Sequence, residues 1–146
     1  MANMKIYSLT LVVLSILTLL QGNTATAEQT PNIKEYPTVT DFLKSDACQK
    51  NQLMLNYCNS EVSNFYDYKL EALYKRLPNS KEVRDAQSAW LKFRDAECQR
   101  VAAGSYEGSI YGLLIEECKG SLTKRRIAIF ETELNCKKDG GCGYLP

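Results

Sequence analysis

The sequence has no histidine at all. That absence removes most zinc sites, the Ser-His and Cys-His nucleophile pairs and the usual proton shuttle near neutral pH. Charge of either sign is also nearly absent in net terms. Lys and Arg number 18 and Asp and Glu 17, a net charge of +1, so no strongly basic face is available for nucleic acid. The one long apolar run, Leu9 to Leu20, is twelve residues, short of the roughly 20 needed to span a bilayer. A chain of 146 residues, 45% hydrophobic and 24% charged, has room for one small domain and not for two.

What is present begins with an address. Lys5 forms a short positive segment, Leu9 to Leu20 (LTLVVLSILTLL) an apolar one, and Gln21 to Ala27 ends in Ala25-Thr26-Ala27. That order is the pattern of a cleaved leader with a small-x-small site, so residues 1–27 are read as a signal peptide. No cysteine follows the apolar segment closely, which argues against a lipid anchor. Lys5 is the leader's only charge, so cleavage leaves a formally neutral mature chain. The expectation is a periplasmic or secreted protein without a stable membrane anchor after cleavage.

Export turns the six cysteines, Cys48, Cys58, Cys98, Cys118, Cys136 and Cys142, into a disulfide framework rather than a metal site. None forms a CxxC pair, and no metal or other cofactor is implied. Six cysteines allow 15 pairings. Nearest-neighbour pairing closes loops of about 10, 20 and 6 residues, each worth roughly 2–3 kcal/mol in the chain-entropy picture. The competing scheme bridges Cys58 to Cys98, since each is twenty residues from Pro78 and a helical hairpin there brings them level. Local geometry leaves both open.

Residues 28–47 carry Pro31 and Pro37 without sustained periodicity and read as a loosely ordered lead-in. Three helical stripes follow, with steps of three and four. The first, over Asn51 to Leu77, runs Leu55, Cys58, Val62, Tyr66, Leu70, Leu73 and Leu77. The second, after an N-cap at Asn79, runs Val83, Gln87, Trp90, Arg94, Cys98 and Val101. The third runs Ile110, Leu114, Cys118, Leu122, Arg125 and Ile129, to about Leu134. Nothing alternates long enough for a sheet. The expected fold is all-α, a three-helix antiparallel bundle stapled by disulfides, over residues 48–135, followed by a C-terminal disulfide loop over residues 136–146.

Two sets of residues stand out. Gln87, Trp90 and Arg94 share one face of the second helix, and a guanidinium on an apolar stripe needs a carboxylate partner. Asp67, Glu71 and Glu117 are the candidates, and a structural network of Asp67, Gln87, Trp90 and Arg94 is the favoured reading over a ligand surface. Between the second and third helices, Ser105, Tyr106, Glu107 and Tyr111 sit on a glycine-bearing turn. Tyr and Ser are adaptable contact residues, so these four are the candidate partner-binding set, although an ordinary helix connection has the same appearance. No catalytic residue is assigned.

Beyond these features, the run Ala86-Gln87-Ser88-Ala89-Trp90-Leu91-Lys92-Phe93-Arg94-Asp95-Ala96-Glu97-Cys98 is followed by Gly108-Ser109-Ile110. Glu117-Cys118 and Leu122-Thr123-Lys124-Arg125-Arg126 come next. Together they resemble the lysozyme inhibitor LprI-type family of small exported bacterial helical proteins. Cys48 and Cys58 with nine residues between them, and Asp67 with Leu70 and Tyr74, match its first helix. The resemblance covers about Cys48 to Glu133. Glu71 departs from the pattern, where Asn is common, and the tail from Cys136 to Cys142 lies outside it. The resemblance implies pairs Cys48–Cys58 and Cys98–Cys118, which leaves Cys136 for Cys142. It also implies a protein partner, lysozyme or another wall-degrading enzyme, which the protein binds and inhibits. An immunity protein against a wall-targeting toxin and a non-catalytic envelope adaptor are the alternatives.

Overall fold

Side-chain caps decide where the helices begin. In the computed structural model, which describes residues 30–138, each early element opens on an Asn, Ser or Thr whose side chain accepts a backbone N–H from its first turn. Asn32 opens a 3-10 turn, Ile33–Glu35. Thr38 opens α1, Val39–Lys44, and Ser45 opens α2, Asp46–Gln49. Asn51 opens α3, Gln52–Tyr74, and Ser80 opens α4, Lys81–Ala102. A second 3-10 turn, Ala103–Ser105, leads toward α5, Tyr111–Lys138. The proposed signal peptide and Cys142 lie outside the described residues.

Helices are the regular structure of the described residues, with no strand among them. Five α-helices replace the expected three, because the lead-in is more regular than its prolines indicate. Phe42 of α1 is fully buried beside Cys48, Cys58 and Val62. Covering a phenylalanine in this way is worth roughly 1.5–3 kcal/mol, enough to fix a short capped helix against α3. Asn79 is not the expected N-cap. Its side-chain oxygen instead accepts from Arg84 Nη1 at 2.7 Å, and Ser80 caps α4.

Register between the long helices follows from their contacts. Asn56 meets Gly112, and Tyr66 meets Gly120, so α3 and α5 run parallel. Cys98 joins Cys118, and Trp90 faces Arg126, so α4 runs antiparallel to α5. The three form an up-down-up arrangement in which α5 packs against both neighbours, while α3 and α4 scarcely touch. Leu70, Leu73, Leu77, Ile127, Phe130 and Leu134 make the main apolar cluster.

The central place of α5 corrects its expected stripe. Thr123, Ile127, Phe130 and Leu134 are buried, whereas Ile110 and Ile129 are 43% and 46% exposed. A helix with neighbours on two sides has no single apolar stripe to read. On α4, Ala102 is buried in place of Val101, which is 51% exposed.

Among the described residues two disulfides are present, Cys48–Cys58 and Cys98–Cys118, with Cα separations of 5.8 and 5.5 Å. Ten residues of one helix span about 15 Å. The first bridge closes because α2 folds back over the start of α3. No Cys58–Cys98 bridge forms, since α5 rather than α3 is the close neighbour of α4. Cys136, expected to pair with Cys142 in a C-terminal disulfide loop, lies on the last turns of α5 and is unbridged among the described residues; Cys142 lies outside them. The helix persists because its buried positions continue in steps of three and four to Leu134.

Candidate functional site

The connection between α4 and α5 is short and internally bonded. The N–H of Tyr106 donates to Ala103 O at 3.2 Å, that of Gly108 to Ser105 O at 2.8 Å, and that of Tyr111 to Gly108 O at 3.1 Å. Between these turns Glu107 is held at φ 66°, in the left-handed region. A side chain there costs about 1–2 kcal/mol relative to glycine. Strained backbone of this kind persists only where its surroundings over-determine it.

Two anchors do so here. Asn56 Nδ2 on α3 donates to Ser109 O at 3.0 Å. The Cys98–Cys118 bridge ties α4 to α5 on the two sides of the connection. On this frame Tyr106 projects 71% exposed, and its ring meets that of Tyr111 edge-on at 5.5 Å between centroids. Glu107 is exposed, while Ser105 and Tyr111 are half-buried. The four sequence-selected residues therefore share one short segment, and two of them touch. Sequence reasoning missed Asn56, which carries no local signature. It also missed Leu53, one turn before Asn56 and 74% exposed.

Arg94 lies deeper. Its Nη1 donates to Asp67 Oδ1 at 2.6 Å and to Thr123 Oγ1 at 3.0 Å, and its Nε donates to Asp95 Oδ1 at 3.0 Å. Thr123 Oγ1 also donates to Asp67 Oδ1 at 3.2 Å. One guanidinium thus joins α3, α4 and α5. Of the three candidate carboxylates, Asp67 is the partner. Glu71 pairs with Lys75 on its own helix at 3.2 Å, and Glu117 is exposed. Trp90 is flanked by Arg94 and Arg126, whose Cζ atoms lie 5.5 and 5.6 Å from its ring. Gln87 is buried, but its Oε1 has no hydrogen-bond partner. Thr123 and Asp95 were missed; both adjoin the motif residues that drew attention to Arg94.

Three charged groups around these features are shifted by their surroundings. Arg100 hydrogen-bonds both carboxylate oxygens of Glu97, at 2.8 and 2.6 Å. That contact holds Glu97 below its ordinary range and Arg100 above its own. Burial pushes Arg126 down, opposed by the charge of Glu133. Among the described residues no group of three or more Cys, Asp or Glu side chains converges to hold a metal ion. No helix of the described residues is long and apolar enough to cross a membrane.

In comparisons with known proteins, the family model described as lysozyme inhibitor LprI matches residues 45–129. That span takes in both disulfides, the Arg94 network and the whole α4–α5 connection. Neither the curated proteins nor the solved structures provide a significant match to the chain.

Proposed function

The chain belongs to the lysozyme inhibitor LprI family, and from that membership we propose an exported, non-catalytic protein that binds and inhibits a wall-degrading enzyme. The observation that carries the contact assignment is the pairing of an exposed Tyr106 with a strained Glu107 on a segment anchored at both sides. A projecting segment already ordered in this way loses little conformational freedom on binding. Aromatic and small polar side chains supply rigid area and adaptable hydrogen bonds. Glu107 has the charge expected of a group that meets a cationic partner.

The mature chain is formally neutral once the leader is removed. Long-range steering is then weak, association is slow, and inhibition depends only modestly on salt. The disulfides and the leader-like first 27 residues agree with an oxidising compartment outside the cytoplasm. In this reading the Arg94 network is structural and holds the three long helices in register beneath the contact segment.

The test is a turbidity assay of wall lysis with the mature wild-type protein and a Tyr106→Ala, Glu107→Ala double variant. Wild type slows lysis and the double variant loses the effect. No inhibition of any lysozyme class, with the protein well in excess of enzyme, overturns the reading in favour of an immunity protein or an envelope adaptor. Inhibition that survives the double variant retains the function and removes the α4–α5 connection as the contact.

A further inference from the structure

A second surface lies on a different part of the molecule. Glu61, Asn64, Phe65 and Tyr68 recur at three- and four-residue steps along α3 and so share one face. This flank of α3 is exposed or half-buried, beside the buried Cys58 and Val62. It is nonetheless aromatic. Phe65 is 40% exposed and Tyr68 78%. The first 3-10 turn faces it with Ile33 and Lys34, and the two walls enclose a groove of about 280 Å³.

The polar lining is unspent. Among the described residues the side chains of Lys34, Glu61 and Asn64 form no ion pair or hydrogen bond. Although Lys34 and Glu61 carry opposite charges across one groove, they stay apart. The groove therefore presents a donor, an acceptor and an amide that is both, beside two aromatic rings. Each unmatched group adds to binding only if a ligand pairs with it.

We propose that this groove is a carbohydrate subsite that takes one N-acetylated hexosamine ring of a glycan strand. Aromatic faces are large apolar surfaces with a polar tip and suit the C–H face of a pyranose ring. Glu61 accepts from ring hydroxyls and Lys34 donates to them. Asn64 matches the N–H and C=O of an acetamido group. Lys34 and Glu61 offset each other, so the groove has no net charge to favour an ion, and a lipid chain would leave three polar groups unpaired. The volume lies just below the usual range of ligand pockets, roughly 300–1,000 Å³, which suits a single ring, and the open form lets a longer glycan continue past it.

None of the six lining residues belongs to the α4–α5 connection, so this proposal stands or falls apart from the inhibitor reading. The experiment titrates the mature protein with chitotriose and follows backbone amide NMR shifts. Shifts concentrate at residues 33–34 and 61–68, with a Kd on the order of 1 mM, as expected for so few contacts. Tyr68→Ala weakens binding about ten-fold and Tyr68→Phe about two-fold or less. Glu61→Gln also weakens it, whereas Tyr106→Ala leaves it unchanged. Tyr68 is so exposed that its variants keep the wild-type melting curve. Cellotriose, which lacks acetamido groups, binds several-fold more weakly. Absence of shifts at millimolar sugar, shifts mapped elsewhere, or full binding by Tyr68→Ala would overturn the site. Equal binding of cellotriose would overturn the acetamido assignment.

Discussion

Arg94 and Asp67 meet at 2.6 Å although they stand on the two long helices that scarcely pack against each other. The guanidinium side chain is 7% exposed and the carboxylate side chain 43%. The two ends of the contact are thus unequal: the arginine has given up its water, and the aspartate keeps much of its own. Loss of the aspartate strands a buried cation, whereas loss of the arginine leaves a carboxylate that water still reaches.

The asymmetry sets the first prediction. Arg94→Ala lowers stability by about 2–4 kcal/mol, and Asp67→Ala by a similar or larger amount, because Arg94 then retains only Asp95 and Thr123. Arg94→Lys recovers part of the loss, since an ammonium cannot reproduce the fork that spans Asp67 and Asp95. Thermal melting of the three variants is the measurement. Melting within a degree or two of wild type for all of them contradicts the network.

Glu107 offers the opposite sign. Glu107→Gly relieves the left-handed strain and raises stability by about 0.5–1 kcal/mol, less than the strain itself because glycine is freer in the unfolded chain. Glu107→Ala does not, because alanine keeps a Cβ at the same φ. Urea unfolding midpoints separate the two variants. If Glu107 is a contact, the glycine variant is more stable and a poorer inhibitor, a trade common at functional positions.

The bridges differ in what they close. Removing Cys98–Cys118 by a paired serine substitution costs about 3 kcal/mol, and removing Cys48–Cys58 slightly less, as the shorter loop implies. Peptide mapping without reductant yields the 48–58 and 98–118 linked peptides. A 58–98 linked peptide would reverse the helix order inferred from the structure.

Stability responds to acid and hardly at all near neutrality. Glu82 is held below the ordinary glutamate range, first by a backbone N–H and then by the Ser80 hydroxyl, and Glu97 by Arg100. A lowered folded-state value means the stabilisation is complete above the unfolded value, about 4.3. It is lost as pH falls through the lower folded one. Both groups are exposed, so the loss is small and weakens further in salt. With no histidine in the chain, the melting temperature stays flat from pH 6 to 8 and declines below about pH 4.5.

The sequence made the all-helical class, the long helices and the buried Arg94 legible, because each rests on local spacing. Cys58, Val62, Leu70 and Leu73 lie on the expected stripe of α3 and are buried. The stripe of α5 was misjudged because that helix is covered on two sides, and a periodic pattern reports one. The lead-in was underestimated because its order comes from Phe42, a contact with α3 that no local rule contains. At the α4–α5 connection the residue types were readable, but the clasp by Asn56 was not, since it joins positions 53 residues apart.

The two described disulfides lie toward the end of the molecule that carries the Tyr106 segment, whereas among the described residues the Pro78 end has none and is held by the Leu70, Leu77 and Leu134 cluster and the Arg84–Asn79 contact. The two ends therefore open by different routes. Heat and urea first fray the Pro78 turn, where no described disulfide resists, so amides there exchange with solvent early. Reductant spares that turn and loosens the opposite end, so recognition fades while most of the helical signal persists. A protein built this way loses its grip before its shape when reduced, and its shape before its grip when warmed.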